Sequence, residues 1–97
     1  MKKILMIAIN SSWSQSNLAL YYLREVIADL PYRVFMQEWT LKDQLLDVLY
    51  GIYVQNADVI CFSAYIWNRL YLQELIPELV KLLPEAVIVI GGPEAGN

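Results

Sequence analysis

The chain has no histidine and a single cysteine, Cys61. Without imidazole there is no histidine-based catalytic triad and no histidine metal ligand. One thiol excludes an internal disulfide, every multi-cysteine metal site and an iron–sulfur cluster. Cys61 lies inside an apolar run, where a thiol behaves as a small buried hydrophobe rather than a nucleophile. Clusters of positive charge are also lacking. Lys2, Lys3, Arg24, Arg33, Lys42, Arg69 and Lys81 are scattered, and 7 basic against 10 acidic residues leave a net charge of -3. Such a chain has no electrostatic footprint for nucleic acid. No uninterrupted apolar run approaches the roughly 18–20 residues of a membrane span. Lys2 and Lys3 before ILMIAI mimic the start of a signal peptide, but Asn10 follows without a small-residue cleavage pattern. A cytoplasmic protein is expected, with neither nucleic acid nor membrane as partner. The nucleotide-binding signatures Gly-x-Gly-x-x-Gly and Gly-Lys-Ser/Thr are missing as well. The third apolar run ends in Ser63, where a receiver-type domain would carry a phospho-acceptor aspartate.

Apolar residues, by contrast, are in excess. The 97 residues suffice for one small domain, yet 58% of them are hydrophobic, against roughly 45–50% for ordinary soluble domains. A domain this small buries only about two-thirds of its surface. The surplus implies apolar surface that something else covers.

Four apolar runs alternate with three helix-length amphipathic stretches. Residues 4–9 (ILMIAI), 59–62 and 87–90 show no polar alternation, as in strands buried on both faces of a parallel sheet. Residues 32–39 (YRVFMQEW) are interrupted by Arg33, Gln37 and Glu38 and read as a strand nearer the edge. Helical spacing links Leu20, Leu23, Ile27 and Leu30, with Ser16 or Asn17 placed to cap them. It links Leu41, Leu45, Val48 and Ile52, with Thr40 and Asp43 resembling a capping box and Gly51 weakening the last turns. A third helix starts at Asn68 and packs Leu72, Leu75, Leu79 and Leu83, with Pro77 expected to kink or divide it. This order predicts an α/β fold: an open parallel sheet, flavodoxin-like (Rossmann-like) and three-layered α/β/α, in spatial order 2-1-3-4.

Ligands of such sheets bind beyond the carboxyl ends of the strands where the winding reverses, here between the first and third. Three loops meet there: residues 10–17 (NSSWSQSN), 63–68 (SAYIWN) and 91–97 (GGPEAGN). The first is rich in hydroxyls and amides and carries no charge; these groups either form the turn and cap or hold a phosphate or amide-rich ligand. Trp13 needs a surface to lie against. In the second, Ser63 either satisfies the last strand amides or contacts a ligand. Exposed Tyr65 and Trp67 suit a flat ligand or a neighbouring domain. In the third, Gly91 and Gly92 form either a tight turn or a place where a ligand lies on the main chain.

Taken in order, ILMIAINSSWSQSNLALYYL, ADVICFSAYIWN and VIVIGGPE resemble the cobalamin-binding domain found at the N-terminus of many radical S-adenosylmethionine (SAM) enzymes, over nearly the whole chain. The resemblance implies that Ser63, Gly91 and Gly92 line the channel for the nucleotide tail of cobalamin. Tyr65 stands where a hydrophobic residue is usual. The loop after the first strand departs from the wider family, which has Asp-x-His-x-x-Gly there, its histidine binding cobalt from below. Here that loop reads Asn10, Ser11, Ser12, Trp13 and Ser14. The implied cofactor is therefore cobalamin held without a histidine ligand, as in the radical SAM subgroup. Trp13 or a neighbour would cover its lower face, and Ser16, Asn17 and Trp67 complete the cofactor-binding set; no residue is assigned as catalytic or as a metal ligand.

The same resemblance makes residues 1–97 a cobalamin-binding-type domain that is incomplete at its C-terminus, stopped before a fifth strand. The radical SAM domain, with its 4Fe-4S cluster and S-adenosylmethionine, is then the missing partner, and the parent enzyme is expected to be a methyltransferase. The bare VIVI edge of the fourth strand is expected to drive self-association. Two other readings are open: a flavodoxin-like module binding flavin mononucleotide, and a degenerate domain that serves only assembly.

Overall fold

A computed structural model describes residues 2–11 and 32–92. In chain order the elements are β1 (Lys2–Asn10), β2 (Tyr32–Thr40), α1 (Leu45–Tyr53), β3 (Val59–Ser63), α2 (Arg69–Leu82) and β4 (Val87–Gly91). The helix expected around Leu20, Leu23, Ile27 and Leu30 lies outside the described residues.

The four strands form one sheet in the order β2-β1-β3-β4, and every neighbouring pair is parallel. The fold is thus the open, flavodoxin-like α/β sheet that the pattern of apolar runs predicts. Its cause is visible in β1. Leu5, Ile7 and Ile9 point to one face and pack against Val48, Leu49 and Ile52 of α1 and Leu72, Leu75 and Leu79 of α2. Ile4, Met6 and Ala8 point to the other face and join Val34, Met36, Val59 and Cys61. A strand buried on both sides needs apolar residues at every position, which is why ILMIAI shows no alternation. Each fully buried Leu, Ile or Met contributes roughly 1.5–3 kcal/mol relative to exposure.

The outer strands differ. β2 is an edge strand, as its polar residues predict; Phe35 is half-open there, with the Lys3 ammonium 4.7 Å and the Arg33 guanidinium 5.3 Å from its ring centroid. β4 reads like a core strand but forms the opposite edge, and Val87, Val89 and Ile90 are exposed. Apolarity alone does not separate a central strand from an edge strand.

Three local expectations need correction. Thr40 and Asp43 do pair: Asp43 Oδ2 accepts the Thr40 N–H at 2.8 Å, and the Thr40 hydroxyl accepts the Lys42 N–H at 3.3 Å. They close the turn that ends β2, however, and α1 begins only at Leu45, after Gln44 with no side-chain cap. The same spacing serves a turn as readily as a cap. Gly51 does more than weaken α1, because a Cβ there would stand 2.5 Å from the Trp39 ring. The glycine admits that indole against the helix, where Trp39 Nε1 donates to Gln37 Oε1 and Gln37 Nε2 donates to the Gly51 carbonyl. Pro77 does not divide α2, which runs unbroken from Arg69 to Leu82. Pro77 and Gln73 are both exposed, so water can supply the donor that the ring removes.

Candidate functional site

The carboxyl ends of β1, β3 and β4 meet along one rim. Ser63 is the register partner of Gly91, and the Ala64 N–H donates to the Gly91 carbonyl at 2.7 Å, so these two strand ends leave the sheet together. Asn10 ends β1 beside Thr40 of β2, and its carbonyl accepts the Leu41 N–H at 2.9 Å. The crevice between β1 and β3, where the winding reverses, is closed by one side chain. Asn68 Nδ2 donates to the Ile9 carbonyl at 3.1 Å and to the Ser63 carbonyl at 2.9 Å, while its Oδ1 accepts the Tyr65 N–H at 2.8 Å. Asn68 is fully buried, so all three bonds form away from water, where each broken partner costs about 1–3 kcal/mol. Sequence reasoning gave Asn68 only the start of a helix; its amide in fact ties two strand ends to a loop.

The glycine pair separates into two roles. Gly92 has φ 94, and a Cβ there would meet the Ala64 carbonyl oxygen at 2.6 Å, so both the backbone angle and the close approach require glycine. A Cβ on Gly91 meets nothing within 4 Å. Gly91 therefore faces open space beside Ser63, and space of this kind lets a ligand reach the main chain.

The aromatic residues of the second loop satisfy one another. The Tyr65 and Trp67 rings stack with centroids 4.4 Å apart and planes 4° from parallel. Trp67 Nε1 also donates to the Ile9 carbonyl at 3.3 Å. Stacked in this way, the two rings cover the end of the β1–β3 crevice, and Ile66 between them projects, 78% exposed.

Of the sequence-predicted site residues, Asn10, Ser63, Tyr65, Trp67, Gly91 and Gly92 come together along this rim, and Ser11 follows Asn10 on the surface. Ser12, Trp13, Ser16 and Asn17 lie outside the described residues. Cys61 points to the same face as Met6 and Met36, and desolvation holds its thiol above the ordinary cysteine range, in the unreactive form. Among the described residues no group of three or more His, Cys, Asp or Glu side chains is placed to hold a metal ion. No helix among them is long and apolar enough to cross a membrane.

Two grooves lie elsewhere. One of about 530 Å³ opens near the amino ends of the strands, between Tyr53, Ala57 and Pro84. Another of about 390 Å³ lies between the helices, at Leu46, Tyr50 and Leu82. Neither includes a residue of the rim. Open α/β sheets use the carboxyl ends, and there the buried polar groups converge, so the rim is the better candidate.

No family model, no curated protein and no solved structure matches the chain.

Proposed function

We propose that this chain is a cobalamin-binding module. The observation that carries the reading is the rim itself: Ser63 paired with Gly91, Gly91 facing open space, and Gly92 folded tightly against Ala64. An open cradle beside Gly91 and a buried, unpartnered oxygen on Asn10 suit a large ligand with neutral polar groups at its edge. The strand ends offer that ligand backbone and hydroxyl groups rather than charges.

In this reading Gly91 lets the ligand's tail lie on the main chain, Ser63 contacts it from the neighbouring strand, and Gly92 with Asn68 holds the two strand ends at a fixed separation. Trp13 or a neighbour, expected from the resemblance to cover the cofactor's lower face, lies outside the described residues. Bound cobalamin supplies a cobalt centre able to carry a methyl group. The chain has no histidine, so it gives that cobalt no imidazole. Methyl transfer itself belongs to a radical SAM domain, which brings the 4Fe-4S cluster and S-adenosylmethionine, and the setting is cytoplasmic. The apolar edge of β4 pairs with a second copy, which light scattering reads as a mass that grows with concentration.

Gel filtration after mixing with hydroxocobalamin or with flavin mononucleotide tests the cofactor. A red protein fraction is expected. A yellow one, or neither colour, removes this reading in favour of a flavin module or an assembly domain.

A further inference from the structure

The two edges of the sheet are finished differently. β2 carries Arg33, Gln37 and Glu38, with the Lys3 ammonium and the Arg33 guanidinium over its Phe35 ring. Charge of this kind blunts an edge against pairing with another chain. β4, the other terminal strand, reads VIVIG, without charge or proline, and matches β3 residue for residue with no bulge. Val87, Val89 and Ile90 on it are 58%, 45% and 40% exposed. None of the devices that protect β2 is present on this edge.

The hydrogen bonds of β4 fix which of its groups face outward. The Val87 N–H donates to the Asp58 carbonyl, and the Gly91 carbonyl accepts the Ala64 N–H. Backbone groups alternate sides along a strand, so Val87, Val89 and Gly91 turn theirs to β3. Ile88 and Ile90 turn theirs to the free edge. Of the antiparallel registers that close on a two-fold axis, the one centred on Val89 engages both residues at once. It sets Ile88 opposite Ile90 of a second copy, and Ile90 opposite the Ile88 of that copy. Val89 then meets its own counterpart in a non-hydrogen-bonded pair, where side chains come closest.

The helix above continues the apolar strip. Tyr71 bonds the Asp43 carbonyl and Leu82 lines the groove with α1, which marks the flank of α2 that faces α1. The helical period puts Glu74, Glu78 and Lys81 on that side, and Ile76 and Val80 on the opposite flank, toward β4. Val80 is 52% exposed. A strip made of Val89, Ile90, Ile76 and Val80 carries no charge, so two copies meet along it without like-charge repulsion.

We infer that the chain forms a closed two-fold dimer in which two β4 strands run antiparallel about Val89, joined by backbone hydrogen bonds between Ile88 of each copy and Ile90 of the other. The inference rests on the reading that β4 pairs with a second copy. It adds the symmetry, the register and the groups that make the bonds.

Sedimentation equilibrium of the unaltered chain should show monomer and dimer alone at every concentration. Ile90→Pro removes an N–H that points to the free edge and none that bonds β3. The variant should keep the circular dichroism of the unaltered protein, while its dimer dissociation constant rises at least about tenfold through loss of that bond in both copies. A cross-link reads the register independently. Val89→Cys, made together with Cys61→Ala, should be joined to its own copy by oxidised glutathione. Its opposed Cα atoms would stand about 4.5 Å apart, within disulfide reach. Ile90→Cys in the same background should stay uncrosslinked, because it lies opposite Ile88. Cross-linking of Ile90→Cys in place of Val89→Cys, assembly beyond the dimer, or an Ile90→Pro that dimerises as tightly as the unaltered protein overturns the two-fold register and leaves edge pairing in some other form. If Ile90→Pro does not fold, the cross-link alone decides. A monomer even at millimolar protein removes edge pairing and this inference together.

Discussion

The two faces of the sheet are built from different chemistry. The face under α1 and α2 is apolar along its length, from Leu5 through Ile9 to Phe62, and its helices contribute Val48, Ile52, Leu72, Leu75 and Leu79. The opposite face begins the same way, with Ile4, Met6 and Ala8, but ends in buried polar residues: Asn10, Thr40 and Ser63. One face makes the fold. The other ends in polar groups, of which the Thr40 hydroxyl is spent on the turn at Asp43 and Asn10 Oδ1 has no hydrogen-bond partner.

Substitutions should therefore separate stability from binding according to the face they touch. The largest effect belongs to the helix face. Leu75→Ala empties a fully buried position and should cost about 2–5 kcal/mol in urea unfolding, with ligand affinity per folded molecule unchanged. A loss of affinity without a loss of stability would erase the division between the faces. Asn68→Ala, at the seam between them, should cost about 3 kcal/mol and also weaken binding, since three buried bonds position the rim. If stability falls and binding does not, the clamp is only structural.

Gly51→Ala sharpens the contrast further. Helix propensity alone favours alanine by up to about 1 kcal/mol, but the added Cβ would press on Trp39 at 2.5 Å and should reverse the sign, to a net loss of about 1–2 kcal/mol. Replacing Trp39 by leucine in the same chain should restore the gain. The smallest effect is electrostatic. Burial, then the Asp43, Asp47 and Glu74 carboxylates, push the Tyr71 hydroxyl above the usual tyrosine range; it donates to the Asp43 carbonyl at 2.8 Å. Because the folded state holds that proton longer than the unfolded chain, stability is constant below the ordinary tyrosine pKa and falls as pH rises through it. Tyr71→Phe should flatten part of that fall in unfolding curves taken between about pH 9 and 12. An identical pH profile in the variant would show that Tyr71 carries none of it.

Much of this plan is legible in the residues. Polar interruptions in YRVFMQEW marked β2 as an edge, and from that the strand order and the meeting of Ser63 with Gly91 followed. What was not legible depends on contacts between segments. Nothing in SAYIWN says that Asn68 reaches Ile9, because that distance is set by the sheet. Nor does the spacing show that Tyr65 and Trp67 lie against each other, or that Gly51 answers to Trp39. Thr40 and Asp43 have the spacing of a cap and close a turn instead. Asn10 could be read as a polar loop residue; that its oxygen is buried and unmatched appears only once its neighbours are in place.

Isothermal titration of hydroxocobalamin into the unaltered protein and into Gly91→Val tests the ligand rim most directly. Valine suits a strand and fills space that is open at Gly91, so the melting temperature should not fall. Saturable binding by the unaltered protein, weakened at least about tenfold in the variant, is the predicted result. Equal binding by both, or heat of binding in neither, would contradict it.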